Sequence, residues 1–322
     1  MIRIAILDDY QNIALRMADW SVLSGRAEIV TFNEHIADID AQIARWADAD
    51  VLCLMRERTP ITAAMIERLP RLKLILTAGP YNASIDMDAA TKRGVIVCGT
   101  NYAPHAAPEL TWGLILAATR HIPREEAAMR RGGWQTSVGQ ILHGRTLGIL
   151  GLGRIGARMA EIGTAFGMKP IAWSHNLTAE RAAACGAQLV ERDELFRQSD
   201  VVTIHLQLSA RTRGLIGAPE LGMMKSSAYL VNTSRGYLID QSALIDALKR
   251  RVIAGAALDV YDIEPLPPDH PLRQLDNIVL TPHIGFVTEE VYRIFYGDMV
   301  EDIRAWLDGK PIRVINHEPQ PR

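Results

Sequence analysis

Three residues in the last hundred positions have side chains suited to proton transfer and anion binding. Arg235, Glu264 and His283 each follow an apolar run that is typical of a buried strand. Histidine transfers protons near neutral pH, and a nearby carboxylate favours its charged form and fixes its tautomer. Arginine pairs with a planar carboxylate through two parallel N–H bonds. Together these residue types suit a reaction that binds an anionic compound and transfers a proton to or from it.

Each residue has a structural explanation when it is considered alone. An arginine at a strand end is often a surface ion-pair partner, and a histidine in Thr-Pro-His is more often a loop residue than a catalyst. A glutamate before proline is usually solvated. Their shared position argues against three separate explanations, because ligands of open parallel sheets bind beyond the carboxyl ends of the strands.

The elements that would carry these residues form two alternating series of strands and helices. Short apolar runs are separated by amphipathic stretches, which predicts βαβ units and parallel sheets. The first series of runs is Ile2–Leu7, Ala27–Phe32, Val51–Met55, Leu72–Thr77 and Val95–Cys98. The second is Thr146–Leu150, Pro170–Trp173, Val201–Leu206, Ala228–Asn232, Ile253–Leu258 and Asn277–Leu280. Two series in one chain predict two doubly wound α/β domains.

A glycine-rich turn opens the second series. The strand Thr146–Leu150 runs directly into Gly151-x-Gly153-x-x-Gly156, and helical periodicity follows at once. Gly151 would make the tight turn, Gly153 would let the backbone approach a pyrophosphate, and Gly156 would let helix and strand pack closely. The helix N-terminus would offer N–H groups to the phosphates. The pattern predicts a Rossmann cofactor domain that binds a dinucleotide.

The acid expected about 20 residues after this turn, which would hold the adenosine ribose hydroxyls, is missing. The next strand ends instead in Ser174, His175 and Asn176, each of which can donate to a phosphate. Without an acid, nothing there repels a 2'-phosphate. This loop therefore slightly favours NADP over NAD. NAD remains the alternative, because a neutral loop also accepts it.

The domain boundary is predicted near Gly99–Asn101, where glycine, proline and asparagine punctuate the chain. The stretch Glu109–His121 is predicted as an apolar helix after the boundary, and Thr288–Leu307 as a long amphipathic helix that packs back on the first domain. The prediction is therefore a flavodoxin-like substrate domain over residues 1–100 and 287–322, and a cofactor domain over residues 101–286.

Several motifs in the same order resemble the D-isomer-specific 2-hydroxyacid dehydrogenase family over essentially the whole chain. The motifs are Leu142-His-Gly-Arg-Thr-Leu-Gly-Ile-Leu-Gly-Leu-Gly-Arg-Ile-Gly156, His205-Leu-Gln-Leu, Thr212-Arg-Gly-Leu-Ile216, Val231-Asn-Thr-Ser-Arg235-Gly, Leu258-Asp-Val-Tyr with Glu264-Pro, and Thr281-Pro-His-Ile-Gly285. The resemblance implies that Arg235 binds the substrate carboxylate and carbonyl. It implies that His283 is the acid/base and that Glu264 is its partner.

The same resemblance implies a set of cofactor contacts. The residues implied at the pyrophosphate are Gly153, Arg154 and Ile155. Those implied at the nicotinamide are Asp259 and the backbone around Thr233. His205 and Gly285 are predicted to line the same cofactor site.

On the substrate side, the family places N–H donors for the substrate carboxylate in the loop after the strand that ends at Thr77. The candidates here are Ala78, Gly79 and Tyr81. Pro80 has no N–H to donate, which leaves the geometry of this loop open. Arg56 is either a second anion contact or a solvated rim charge, and Tyr81 either restricts the pocket to short side chains or only walls it.

A short 2-oxo acid such as glyoxylate or hydroxypyruvate is the predicted substrate, as in the glyoxylate/hydroxypyruvate reductase branch. A phosphoglycerate-type enzyme would be expected to have more basic residues and a regulatory extension, and a formate dehydrogenase would have glutamine in place of Glu264. The alternatives from other classes are an NAD(H)-sensing, corepressor-like binding protein and an L-specific dehydrogenase. The order arginine, glutamate, histidine argues against the last.

Composition limits the class further. The 322 residues carry a net charge of −2 and are 48% hydrophobic, which predicts a soluble cytoplasmic protein with no nucleic-acid or membrane partner. Cys53, Cys98 and Cys185 form no C-x-x-C pair, so neither disulfides nor a metal site is expected. The helix Ala107–Thr119 is apolar on more than one face, which predicts a homodimer through the cofactor domains.

Overall fold

The computed structural model describes residues 1–316 and divides them into two compact units. One unit contains Met1–Ala103 and the described residues from Val287 onward, and the other contains Pro104–Phe286. Residues 317–322, the last part of the predicted substrate domain, lie outside the described range. None of the helices in residues 1–316 combines the length and apolar character that a membrane crossing requires.

The first unit is built on a parallel sheet of five strands in the order β2-β1-β3-β4-β5. Its elements are β1 (Ile2–Ile6), α1 (Ala14–Met17), β2 (Ala27–Thr31), α2 (Ile39–Trp46), β3 (Val51–Leu54), α3 (Ala63–Arg68), β4 (Leu74–Thr77), α4 (Met87–Lys92) and β5 (Ile96–Gly99). Every residue of β3 and β4 is buried, which explains their uninterrupted apolar sequences. The strand order confirms the flavodoxin-like prediction.

The second unit has a parallel sheet of seven strands in the order β12-β11-β10-β9-β6-β7-β8. Its elements are α5 (Ala106–Thr119), α6 (Ile122–Arg130), β6 (Thr146–Leu150), α7 (Arg154–Ala165), β7 (Lys169–Trp173), α8 (Ala179–Ala184), β8 (Gln188–Leu189), α9 (Arg192–Gln198), β9 (Val201–Ile204), α10 (Ala218–Met223), β10 (Tyr229–Asn232), α11 (Gln241–Lys249), β11 (Gly255–Leu258) and β12 (Ile278–Leu280). The order of its strands reverses between β6 and β9, which is the switch point of a Rossmann fold and confirms that prediction.

The last helix, α12 (Glu289–Leu307), belongs to the first unit and packs against α1 and β4. Thr288 caps its first turn by accepting a hydrogen bond from the Val291 N–H. The segment after α12 then pairs with β5. Val314 bridges Cys98 in antiparallel sense, and the Gly99 N–H donates to the Arg313 carbonyl at 3.0 Å.

The structure corrects the prediction for the helix that follows the domain boundary. The helix predicted over Glu109–His121 is α5, which begins three residues earlier and ends at Thr119. Much of its apolar surface is packed against β10, β11, β12 and α7 of its own unit. Trp112 of α5 stacks on Phe166 with ring centroids 4.9 Å apart. The homodimer therefore stays a prediction that these contacts do not test.

Exposed apolar side chains occur instead on α6 and on the loop after it, neither of which the sequence reading predicted as a distinct element. Trp134, Val138 and Ile141 are 72%, 92% and 70% exposed. The loop is held to α6 by Glu125, which accepts hydrogen bonds from the Thr136 N–H and hydroxyl at 3.0 and 2.8 Å. These hydrogen bonds, with one from Ser137, lower the pKa of Glu125 to about 2.

Candidate active site and cofactor site

The turn between β6 and α7 has a backbone that only glycine fits at two positions. Gly151 has φ +97°, and a Cβ there would lie 2.6 Å from the carbonyl oxygen of His205. A Cβ at Gly156 would collide with the carbonyl oxygen of Gly151. Both glycines let α7 approach the end of β6 more closely than any other residue allows.

The third glycine leaves room for a ligand. A Cβ at Gly153 would meet nothing within 4 Å, so the space in front of this residue is open. Gly153 precedes α7 and supplies no capping side chain, which leaves the first N–H groups of the helix, at Arg154 and Ile155, for an anion. An open glycine and uncapped helical N–H groups fit a dinucleotide pyrophosphate.

The residues that would meet the adenosine ribose follow β7. Ser174 is half-buried, and His175 and Asn176 are exposed. The His175 ring lies beside that of Trp173, with centroids 5.1 Å apart. The three predicted residues are therefore together at the end of β7, with no acid among them.

His205 shapes the glycine turn. Its Nε2 is 2.9 Å from the Thr203 hydroxyl oxygen, and its carbonyl oxygen closes the space beside Gly151. Burial lowers the pKa of His205 to about 3, so this ring stays neutral across the physiological range. Its environment suits a structural part of the cofactor site better than proton transfer.

The structure brings two of the three predicted catalytic residues into contact. Nδ1 of His283 lies 2.6 Å from Oε2 of Glu264. The other oxygen of Glu264 accepts a hydrogen bond from the Tyr261 N–H at 2.9 Å, so the carboxylate is fixed from two sides. Because the carboxylate accepts, Nδ1 carries a proton in this pair, and Nε2 is the nitrogen that can exchange a proton with a substrate.

Asp259 fixes the loop that carries His283. Its Oδ1 accepts from the Thr281 hydroxyl at 2.6 Å and the Ile284 N–H at 2.8 Å, and its Oδ2 accepts from the Gly285 N–H at 2.8 Å. The residue is 0% exposed, and burial raises its pKa although the three hydrogen bonds act in the opposite direction. The predicted nicotinamide contact Asp259 thus binds Gly285, which was predicted to line the same cofactor site, and the resemblance did not indicate this hydrogen bond.

Arg235 stands on a turn after β10 that is tied down by neighbouring side chains. Asn232 donates from Nδ2 to the Arg235 carbonyl at 2.9 Å, and the Ser234 hydroxyl donates to the Ile204 carbonyl at 2.7 Å. Gly236 lies so close to the backbone of Tyr261 that a Cβ would collide with it. Arg235, Glu264 and His283 are therefore held at the ends of three adjacent strands, β10, β11 and β12.

The predicted backbone donors in the first unit are already in use. The Ala78 N–H donates to the Leu54 carbonyl at 3.0 Å, and the Gly79 N–H donates to the Thr100 hydroxyl at 2.7 Å. Both N–H groups are therefore paired within the unit, and the assignment of Ala78 and Gly79 as substrate contacts stays a prediction. Tyr81 is 65% exposed, so its side chain does not wall an enclosed pocket within this unit.

The Arg56 guanidinium lies directly over this loop. A Cβ at Gly79 would be 2.6 Å from Nη1 of Arg56, so the missing side chain makes room for the charge. Arg56 has φ +54°, and its carbonyl accepts a hydrogen bond from Nδ2 of Asn82 at 2.7 Å. Asn82 also donates to the Thr77 hydroxyl at 2.9 Å. The sequence reading did not predict the roles of Asn82 and Thr100 in this loop.

Within residues 1–316, no group of three or more His, Cys, Asp or Glu side chains is arranged to hold a metal ion. The three cysteines are free thiols.

Comparison with known proteins agrees with this geometry. The family model for the NAD binding domain of D-isomer specific 2-hydroxyacid dehydrogenases matches residues 112–285, which include the glycine turn and all three catalytic candidates. The chain therefore belongs to the D-isomer specific 2-hydroxyacid dehydrogenase family and carries its NAD binding domain.

The relatives have more than one name. A glyoxylate reductase of Aeropyrum pernix is 40% identical over 286 residues, which cover 85% of this chain and 84% of the relative. A D-3-phosphoglycerate dehydrogenase of Methanocaldococcus jannaschii is 38% identical over 317 residues, 96% of this chain, and this match spans only 58% of that relative's length. A crystal structure of a putative D-3-phosphoglycerate dehydrogenase from Ralstonia solanacearum has a TM-score of 0.92 at 38% identity and covers 98% of this chain and 97% of its own.

Two glycine-to-alanine substitutions in this turn are expected to have different effects on stability and on cofactor binding. Gly153→Ala is expected to leave the free energy of unfolding unchanged and to weaken NADH binding about tenfold or more, because the methyl occupies open space that a pyrophosphate needs. Gly156→Ala is expected to lower the free energy of unfolding by about 1–3 kcal/mol, because its methyl meets backbone. Urea denaturation and NADH fluorescence titration measure the two effects. Equal losses of stability in both variants would contradict this assignment.

Proposed function

We propose that this protein is an oxidoreductase that transfers a hydride between NAD(P)H and C2 of a short 2-oxo or 2-hydroxy acid, with D specificity. The observation that carries the proposal is the 2.6 Å contact between Nδ1 of His283 and Oε2 of Glu264, in the same unit as the glycine turn. A histidine oriented by a carboxylate is an acid/base, and the turn is a dinucleotide site.

The roles follow from the chemistry of each side chain. The Gly151–Gly156 turn would hold a reduced nicotinamide cofactor, which would supply the hydride for C2. Arg235 binds the substrate carboxylate and stabilises the negative charge that develops on the carbonyl oxygen. Nε2 of His283 gives its proton to that oxygen, while Glu264 holds Nδ1–H and stabilises the imidazolium before transfer. In the reverse direction, His283 accepts the hydroxyl proton.

Glyoxylate or hydroxypyruvate is the proposed substrate. The glyoxylate reductase name of the Aeropyrum pernix relative, which matches this chain over most of both lengths, supports that choice. The alternative is a phosphoglycerate-type substrate, supported by the names of other relatives and by the Arg56 charge over Gly79. A panel of glyoxylate, hydroxypyruvate, pyruvate and 3-phosphohydroxypyruvate separates the two.

Arg235→Lys tests the catalytic proposal in that panel. Lysine keeps the charge but loses the two parallel N–H bonds, so we expect kcat/KM for the best 2-oxo acid to fall about 10- to 100-fold. Arg250→Lys is the matched control, because the Arg250 side chain forms an exposed pair with Asp246 at 3.1 Å. Nicotinamide absorbance at 340 nm measures the rates. Unchanged kcat/KM in Arg235→Lys would refute the role, and no turnover with any member of the panel would refute the reaction.

For the cofactor we propose a slight preference for NADPH, because the end of β7 carries Ser174, His175 and Asn176 and no acid. Ser174→Asp is expected to raise the KM for NADPH by about tenfold and to leave the KM for NADH nearly unchanged, since a carboxylate repels the 2'-phosphate. Steady-state rates with both cofactors test this. A wild-type KM for NADH well below that for NADPH would contradict the preference.

We also propose that the protein is cytoplasmic and forms a homodimer. The proposed interface includes the exposed apolar side chains of the loop after α6. Free thiols fit a reducing compartment, and Trp134, Val138 and Ile141 form the most exposed apolar stretch described. The double variant Trp134→Asp with Val138→Asp is expected to convert the dimer to a monomer in size-exclusion chromatography with light scattering. A monomeric wild type would contradict the proposal.

A further inference from the structure

A buried hydroxyl on α5 contacts the loop that carries Arg235. Thr111 is 0% exposed, and its Oγ1 lies 2.7 Å from the carbonyl oxygen of Ala107, one turn earlier in the helix. The same Oγ1 lies 2.8 Å from Oγ1 of Thr233, two residues before Arg235. Both threonines belong to the second unit.

Counting protons fixes the direction of both hydrogen bonds. A threonine hydroxyl has one proton to donate and lone pairs to accept, whereas a carbonyl oxygen only accepts. The 2.7 Å contact therefore uses the Thr111 proton on the Ala107 carbonyl. Between the two hydroxyls, Thr111 must accept and Thr233 must donate. The proton of Thr233 is thus committed, and its hydroxyl can offer a ligand only lone pairs.

The position of Thr233 indicates which ligand group needs that acceptor. It follows β10, in the half of the sheet beyond the switch point that takes the second mononucleotide of a dinucleotide. That mononucleotide is the nicotinamide one, whose carboxamide amino group is a hydrogen-bond donor. Asp259, the acceptor expected there from the resemblance, already receives three hydrogen bonds from its own unit.

We propose that Thr111 is a positioning residue that holds the Thr233 hydroxyl as an acceptor for the carboxamide amino group of the nicotinamide. This inference rests on the proposed use of NAD(P)H and adds to it a recognition contact at the nicotinamide end. In this proposal Thr111 does not contact the ligand. It accepts the proton of the Thr233 hydroxyl, so that Thr233 can only accept a hydrogen bond from the ligand.

The test compares a whole cofactor with a fragment that lacks the nicotinamide. Thr111→Val keeps the shape of the side chain and removes the hydroxyl. We expect the Kd for NADH to rise about three- to tenfold, the factor that one hydrogen bond represents. The Kd for ADP-ribose should not change. Thr111→Ser should restore the wild-type value, and Thr233→Val should reproduce the loss. Isothermal titration calorimetry measures all four proteins without turnover.

Thr119→Val is the matched control. Thr119 lies on the same helix, is equally buried, and donates from Oγ1 to the Ile115 carbonyl at 2.8 Å. Removing its hydroxyl costs α5 the same kind of hydrogen bond but leaves Thr233 untouched, so NADH affinity should stay at the wild-type value.

Two results would overturn the inference. An equal loss of NADH and ADP-ribose affinity in Thr111→Val would mean a general disturbance of the unit, and unchanged NADH affinity in both Thr111→Val and Thr233→Val would mean no contact. If Thr111→Val does not fold, Thr233→Val alone decides by the same comparison. Wild-type protein that binds neither NADH nor ADP-ribose would refute the proposed function itself.

Discussion

The candidate active site depends on one buried carboxylate. Asp259, at the end of β11, receives three hydrogen bonds from the loop after β12. A buried carboxylate without such partners would be costly, so closing the loop around it stabilises the folded unit. Closing the loop fixes His283, which has φ +54°, a conformation rarely adopted by residues with side chains. The candidate acid/base is therefore positioned by contacts that also stabilise the folded unit.

The other catalytic candidates at this end of the sheet are also fixed by hydrogen bonds from neighbouring residues. Glu264 is held by the Tyr261 N–H and then holds His283, and Arg235 stands on a turn fixed by Asn232 and Ser234. Each catalytic candidate thus has its backbone or its charge fixed by a neighbour within the unit. This arrangement keeps the three candidate side chains in place without requiring a ligand to order them, and such preorganisation lowers the entropy cost of reaching a transition state.

The sequence predicted what depends on periodicity and spacing, and missed what depends on contacts between distant residues. The strand Thr146–Leu150 was predicted to the residue, because its mostly apolar run stops at Gly151. β8, with two residues, and α6, with its many charges, carry no such pattern. Strand ends also located Arg235, Glu264 and His283. The hydrogen bond from the Gly79 N–H to the Thr100 hydroxyl joins residues 21 positions apart, and no local sequence pattern predicts it.

The segment that pairs with β5 has a consequence for the protein in a crowded solution. An edge strand with free N–H and C=O groups is a template on which a strand of another chain can add. In the first unit, Val314 and its neighbours occupy that template on the β5 side, with Ile315 donating to the Val97 carbonyl at 2.8 Å and Asn316 accepting from the Val97 N–H at 2.8 Å. The protein thereby protects one side of its sheet from edge-to-edge aggregation with a piece of its own chain.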